Sequence, residues 1–301
     1  MINKSEHPQG KNEQAHIETI VSLIKYIVNK NINKDFYREF VEGYCKRLQQ
    51  IPDYQPESGI FIPYTFNNYA NAEKKIFFVG IDTVGWIKTS EMLTDYSHND
   101  IDCYLDKNSK VVTVQGENKD GSDKHSLKEN TSWRANSMTK FWPFCQKLYI
   151  YIMTGEWVNV ADFEQTHYDI LEGTAYGNLS LVEVKKGWLG ALKGYEKIDK
   201  KFVNDLRSYV QKMERFETLF KAYDTPDLVI VLGERGKRMD ILEGLGAKEI
   251  ESNEFATVYE LEKYSTKIIW TSHPSARRKT RAFREGVLPY LGDTAKELLG
   301  I

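Results

Sequence analysis

The chain has 301 residues, 41% of them hydrophobic and 13% aromatic, so it can build a full hydrophobic core and is not broadly disordered. Its formal net charge of -2 excludes a protein coated in positive charge, so any nucleic-acid surface has to be a local basic patch. The three cysteines lie far apart without a CxxC pair, which excludes a disulfide framework and argues against a local zinc or iron–sulfur site.

The start of the sequence and its hydropathy indicate the compartment. The opening segment MINKSEHPQGKNEQ is polar, and no apolar run reaches membrane-spanning length. These features predict neither a signal peptide nor contact with a membrane. We therefore expect a cytoplasmic protein.

The N-terminal part is predicted to be a tail followed by helices. Residues 1–13 are polar, and apolar side chains then recur at helical spacing over 17–28 and again over 36–48. A connection with several prolines follows. We predict a tail and helical extension over residues 1–70 and one α/β domain over residues 71–301.

The first strand is predicted at Lys75–Gly80, an apolar run that ends in glycine and is typical of a buried parallel strand. The next stretch, residues 87–135, is polar and poor in apolar periodicity, so we predict an insertion there. Within it, Cys103–Leu105 and Val111–Val114 are predicted to pair as a small hairpin.

Helices and strands are predicted to alternate after the insertion. Helical spacing returns over 141–152, and a weaker strand covers about 174–184. A long helix over about 199–222 is predicted to bury one apolar face, which includes Phe202. The run Leu228–Leu232 is typical of a second buried strand.

The C-terminal part continues the alternation. A helix is predicted through Leu242 with a glycine-rich stop behind it, followed by a short strand over 255–260 and a buried strand at Lys267–Thr271. Strands that alternate with helices of this length indicate βαβ units. The predicted fold is a three-layer α/β/α sandwich with a central, mostly parallel sheet.

Ligands of open parallel sheets bind at the carboxyl ends of the strands. This rule selects four candidate places: Gly80–Trp86, Asn178 with its neighbours, Gly233–Gly236 and His273–Ser275.

In chain order, these four places resemble the motifs of the uracil-DNA glycosylase superfamily. The tripeptide His273-Pro274-Ser275 matches the last motif of that superfamily letter for letter, and Phe141-Trp142 resembles a Phe-Trp pair on one of its helices. The resemblance covers about residues 75–290, apart from the insertion. The other matching segments are Gly80-Ile81-Asp82-Thr83-Val84-Gly85-Trp86, Tyr176-Gly177-Asn178-Leu179-Ser180 and Val231-Leu232-Gly233-Glu234-Arg235-Gly236.

The resemblance implies a hydrolase of base-excision DNA repair, which extrudes a uracil or related base from DNA and cleaves its N-glycosidic bond. Asp82 would stabilise the developing sugar cation and assist the attacking water. His273 would donate a hydrogen bond near O2 of the departing base, where negative charge develops. Asn178 would read the base edge with its amide, and Gly80 and Ile81 would lie beside the base.

The resemblance also implies DNA, single- or double-stranded, as the binding partner. Ser275, Arg277 and Arg278 would bind phosphates and form the local basic patch. This chemistry needs no cofactor and no metal, so we expect neither. Protein partners are not indicated by the sequence.

Each of these residues also has a structural interpretation. Asp82 is typical of a helix cap, Asn178 of a loop that satisfies its own backbone, and His273 of a buried structural histidine. The basic run is equally typical of a solvated helix face. Thr83 and Ala276 stand where the superfamily pattern has proline. These departures leave open a non-catalytic DNA- or nucleotide-binding module and, as a third reading, a hydrolase of free nucleosides or nucleotides.

Overall fold

The computed structural model describes residues 35–51, 59–66, 68–80, 87–113, 141–182, 200–222, 225–234, 239–242, 244–274 and 281–301. The predictions for residues 1–34, 81–86 and 114–135 lie outside these ranges.

A seven-stranded sheet forms the centre of the protein, with the strand order β1-β3-β2-β4-β7-β6-β5. The four inner strands β3, β2, β4 and β7 run parallel, whereas β1, β6 and β5 pair antiparallel with their neighbours. The predicted α/β class is confirmed, and the sheet is mixed. The strands are β1 (Tyr64–Thr65), β2 (Ile76–Gly80), β3 (Thr174–Asn178), β4 (Leu228–Leu232), β5 (Ala247–Ser252), β6 (Ala256–Leu261) and β7 (Lys267–Thr271).

Helices connect and cover these strands. None of the described helices is long and apolar enough to cross a membrane. The helices are α1 (35–48), α2 (Thr89–Ser97), α3 (Ile101–Thr113), α4 (Phe141–Thr154), α5 (Gln165–Leu171), α6 (Lys200–Met213), α7 (Phe216–Ala222) and α8 (Arg281–Leu299).

The inner strands are buried on both faces, since side chains alternate along each strand. On one face, which we call the α4 face, Phe78, Tyr176 and Ile230 pack with α4 and α8. On the opposite face, called the α7 face, Phe77 and Val229 pack with α7 and with a 3-10 turn at 239–242. This double burial explains why β2, β4 and β7 read as nearly continuous apolar runs.

A third group of buried side chains, which we call the N-terminal cluster, lies beside the sheet. It is formed by α1, α2, α3 and α6 around Leu181 and Val182, which follow β3 in the chain. Helix α1 contributes fully buried residues, among them Phe40, Val41 and Tyr44. The predicted helix over 36–48 is therefore confirmed. The predicted boundary at residue 70 stays a prediction.

The hairpin predicted in the polar stretch is wrong, because Cys103–Leu105 and residues 111–113 belong to the single helix α3. Ile101, Tyr104 and Leu105 recur at helical spacing and are buried in the N-terminal cluster. The Tyr104 hydroxyl donates a buried hydrogen bond of 2.6 Å to the Ile60 carbonyl. Residues 89–107 are therefore part of the packed structure and not a polar insertion outside it.

The long helix predicted over 199–222 is interrupted between α6 and α7. Leu206 and Val210 of α6 are buried in the N-terminal cluster, whereas Phe216 of α7 is buried on the α7 face. One straight helix would not place these residues against two differently oriented surfaces. Phe202, predicted to be buried, is 36% exposed.

Residues after β4 also differ from the prediction. The described end of the predicted helix is the 3-10 turn at 239–242, and Gly244 and Gly246 behind it have positive φ angles, as a glycine-rich stop requires. Strand β5 was not predicted, because this edge strand is largely exposed and rich in charged residues. The predicted strands at 255–260 and Lys267–Thr271 are confirmed as β6 and β7.

Candidate functional site

The carboxyl ends of the parallel strands bring two of the predicted motifs side by side. The last residue of β2, Gly80, is the register partner of Asn178, the last residue of β3. Strand β4 lies on the other side of β2 and pairs with β7, whose final residue Thr271 is the register partner of Leu232. His273 follows two residues beyond the end of β7.

Because side chains alternate along each strand, Gly80 and Asn178 belong to the α4 face. Phe78 is paired with Tyr176, and two residues further on Gly80 is paired with Asn178, so all four belong to the same face. At the carboxyl ends of β2 and β3, the buried side chains of this face are followed by the half-buried carboxamide of Asn178. The first helical residue of α4, Phe141, covers this end of the face.

Gly80 is in close contact with both neighbouring side chains. A Cβ atom added to Gly80 would lie 2.6 Å from Oδ1 of Asn178 and 3.3 Å from Cε2 of Phe141. The backbone is also fastened here, because the Leu179 amide donates a hydrogen bond of 2.8 Å to the Gly80 carbonyl. Only a residue without a side chain allows this approach, which is a physical reason for glycine at the end of β2.

Phe141 links the amide and the imidazole. Its ring lies nearly parallel to that of His273, at an interplanar angle of 11° and a centroid distance of 6.3 Å. It also meets the Tyr176 ring edge-on at 6.3 Å, and Trp142 packs on the same tyrosine at 4.6 Å. The aromatic pair at the start of α4 therefore borders the site on one side and the core on the other.

His273 is half-buried, two residues beyond the end of β7. Thr271, the last residue of β7, donates a hydrogen bond of 2.6 Å to the Phe255 carbonyl, and Pro274 behind the histidine is buried. Burial lowers the pKa of His273 below its ordinary value, so its imidazole is neutral at neutral pH. A neutral imidazole offers one N–H donor and one acceptor nitrogen.

Of the predicted site residues, the structure brings Gly80 and Asn178 into direct contact, and Phe141, which lies beside Gly80, also stacks with His273. The other five lie outside the described residues, so their placement stays a prediction. They are Ile81, Asp82, Ser275, Arg277 and Arg278.

Phe141 is the residue whose contribution the sequence did not assign. The Phe-Trp pair was recognisable as a motif, but its spacing only indicated an apolar helix face. A role beside Gly80 becomes visible only once α4 is packed on the sheet. The signal in the sequence was the position of two aromatic residues directly before Pro143, which is typical of a first helical turn.

The site combines an amide, an aromatic ring and a neutral imidazole. An amide can donate and accept hydrogen bonds at once, and an aromatic ring offers a flat apolar surface. These groups suit a planar heterocycle that carries carbonyl and N–H groups. Within the described ranges, no three His, Cys, Asp or Glu side chains are grouped so as to hold a metal ion.

In comparisons with known proteins, no protein-family model and no curated protein matches this chain.

Proposed function

We propose that this protein is a uracil-DNA glycosylase-like hydrolase that cleaves the N-glycosidic bond of an extruded uracil or related base in DNA. One observation carries the proposal: Asn178 and Phe141 crowd Gly80 at the paired carboxyl ends of β2 and β3, and the ring of His273, two residues beyond the end of β7, stacks with that of Phe141. These are the residue types that binding and releasing a planar base requires.

Base recognition is assigned to Asn178, with Phe141 as the flat surface beside it. The carboxamide can donate to O4 of uracil and accept from its N3–H. The close contact with Gly80 limits the positions that this carboxamide can take. Extruding a base costs a few kcal/mol, and contacts of this kind offset that cost.

Bond cleavage is assigned to His273 and Asp82. As the bond between the sugar and the base breaks, its electron pair stays on the base, and a hydrogen bond from the neutral imidazole stabilises the charge near O2. Asp82, two residues after Gly80 in the sequence, stabilises the sugar cation and accepts a proton from the attacking water. The hydroxyl of the water is then bound to the sugar, Asp82 gives up its proton to solvent, and the departing base anion takes a proton from solvent, so the products are the free base and an abasic site.

DNA binding is assigned to the segment that follows His273. Ser275, Arg277 and Arg278 carry hydroxyl and guanidinium groups suited to phosphates, and they stand directly behind the imidazole in the sequence. A local patch of this kind agrees with a net charge of only -2 for the whole chain.

A base-release assay tests the proposal. Labelled single- and double-stranded oligonucleotides that contain uracil, hypoxanthine or a mismatched thymine are incubated with the protein, and alkali then cuts any abasic sites. We expect release of one of these bases. His273→Ala should slow release by about a hundredfold to a thousandfold, as the loss of a charge-stabilising donor does elsewhere. Asp82→Asn should slow it by about a hundredfold or more.

The matched control is His98→Ala, since His98 is exposed on the turn after α2. This variant should release bases at the wild-type rate. Full activity of both His273→Ala and Asp82→Asn would refute the assigned roles. Salt-sensitive DNA binding without any abasic product would instead support the non-catalytic binding module.

A further inference from the structure

The segment that carries Asn178 continues into a loop that is held at several points. We call residues 178–182 the Asn178 loop. Its Leu179 amide donates to the Gly80 carbonyl at 2.8 Å, and its Leu181 carbonyl accepts from the Phe61 amide at 2.6 Å. Val182 forms an isolated antiparallel bridge with Ile60. Because of these contacts, the position of Asn178 depends on how residues 179–182 are held.

The Leu181 amide is bound by a side chain that is distant in sequence. It donates a buried hydrogen bond of 2.9 Å to Oε1 of Glu214. Glu214 is only 6% exposed, and its own backbone amide donates to the Val210 carbonyl at 3.0 Å. A carboxyl group is expensive to bury unless it accepts hydrogen bonds, so this burial indicates a specific structural task.

Glu214 lies at the interruption between α6 and α7. At that interruption the chain passes from the N-terminal cluster, which buries Val210, to the α7 face, which buries Phe216. The Asn178 loop crosses between the same two clusters, from Leu179 on the α7 face to Leu181 in the N-terminal cluster. The hydrogen bond from the Leu181 amide to Glu214 connects the two segments where each passes from one cluster to the other.

We propose that Glu214 is a positioning residue that holds the Asn178 loop, and thereby the Asn178 carboxamide, in place against Gly80. The proposal rests on the proposed function in so far as it assigns base reading to Asn178. This role gives a reason for α6 to end before Glu214 although glutamate is a good helix former, since the side chain of Glu214 binds the loop. Loss of the bond should weaken substrate binding more than the chemical step.

The test compares Glu214→Ala with Glu214→Gln, which keeps a side-chain carbonyl as acceptor. Amide hydrogen exchange is measured over the Asn178 loop, with the central strand β4 as internal reference for global stability. In Glu214→Ala we expect exchange at Leu181 to become about tenfold to a hundredfold faster, the range that loss of one such hydrogen bond gives. Exchange in β4 should change less.

The kinetic measurement is the release of the preferred base by the same variants. Glu214→Ala should raise KM about tenfold and change kcat by less than about threefold, because the loop positions the substrate and takes no part in the bond cleavage. Glu214→Gln should restore most of both values. The control is Glu217→Ala on α7, whose carboxylate binds Lys263 at the surface.

Unchanged exchange in Glu214→Ala, or equal effects of Glu214→Ala and Glu217→Ala, would overturn the proposal. So would an equal loss in Glu214→Gln, or a fall in kcat without a rise in KM. If the wild type releases no base, the proposed function fails, while the exchange measurement still decides whether Glu214 holds the loop.

Discussion

The contact between Gly80 and Asn178 leaves no room for even a methyl group. In Gly80→Ala, the new Cβ would lie 2.6 Å from Oδ1 of Asn178, so the carboxamide has to move while the paired strand ends stay in register. We expect base release to fall by about tenfold to a hundredfold, the usual effect of a displaced positioning group. The measurement is kcat/KM beside the thermal unfolding temperature.

A double-mutant cycle identifies the cause of that effect. If Gly80→Ala acts by displacing Asn178, it should have a much smaller effect in an Asn178→Ala background. Equal effects of Gly80→Ala in both backgrounds would show that the glycine matters for a different reason.

The neutral state of His273 predicts how stability depends on pH. Its pKa in the folded protein is lower than in the unfolded chain, so the unfolded chain binds more protons as the pH falls below the ordinary value for histidine. This residue should therefore destabilise the fold on acidification and have no such effect at higher pH. The free energy of unfolding is measured in urea between about pH 8 and pH 5, the range in which histidine titrates.

The comparison for this measurement is His273→Asn. The wild type should lose more stability than this variant as the pH falls. Parallel curves for the two proteins would show that burial does not lower the pKa of His273.

Gln146 is an unusual residue within α4. It is fully buried, and among the residues that the structure describes neither its Oε1 nor its Nε2 has a hydrogen-bond partner. Leaving such groups unsatisfied costs about 1–3 kcal/mol, so Gln146→Met, which has a similar shape, should raise the free energy of unfolding by about 1 kcal/mol or more.

The control for Gln146 is Gln165→Met on α5, because the exposed Gln165 amide donates to Asp169. Replacing it should change stability little. Destabilisation by Gln146→Met would mean that the buried amide binds an internal water molecule or a ligand group.

Helix α3 depends on a side-chain contact that joins it to the chain before β1. The Tyr104 hydroxyl is buried and donates to the Ile60 carbonyl. Tyr104→Phe keeps the ring and removes this donor, so we expect a loss of about 1–2 kcal/mol in the free energy of unfolding. Tyr96→Phe, on the neighbouring helix α2 and packed against the same cluster, is the matched control with an expected change close to zero. Equal losses in both variants would argue against a specific role for the bond.

Several elements could be predicted because their burial is visible in the local sequence. Strands β2 and β4 are apolar runs, and β7 is apolar between Lys267 and Thr271, as is typical of strands covered on both faces. Strand β5 was missed because an exposed edge strand needs no apolar residues. The prediction for α3 is wrong because, of its side chains over 101–107, only Ile101, Tyr104 and Leu105 are buried, and the valines later in its sequence favour a strand.

The interruption between α6 and α7 could not be predicted from local propensity. Glutamate is a good helix former, and the apolar spacing runs through the break. What ends α6 is the change of packing surface and the bond from Glu214 to the Leu181 amide. Both are contacts between residues far apart in the sequence.

The N-terminal cluster makes α1 part of the folding unit. Helix α1 buries Phe40, Val41 and Tyr44 against α2, α3 and α6. Deleting residues 1–51 would remove α1 and expose to water the side chains of α2, α3 and α6 that pack against it. Since each large buried side chain contributes about 2–5 kcal/mol, we expect the unfolding temperature to fall by more than about 10 °C.

A second truncation that lacks only residues 1–34 separates the contribution of α1 from that of the sequence before it. Thermal unfolding of both variants is compared with that of the full chain. If the chain without residues 1–51 unfolds at the wild-type temperature, residues 1–51 would be dispensable for the stability of the fold.

Sequence patterns alone were sufficient for the α/β class and for naming Gly80, Asn178 and His273 as candidates. A buried strand is visible as a short apolar run, and the glycine or proline that ends it lies within a few residues of that run. Both can therefore be recognised in a short stretch of sequence. The contact of Asn178 with Gly80, the ring of Phe141 beside His273 and the bond from Glu214 required the tertiary structure. They depend on the strand order β3-β2-β4-β7 and on how helices pack against it, which arise from contacts between distant parts of the chain.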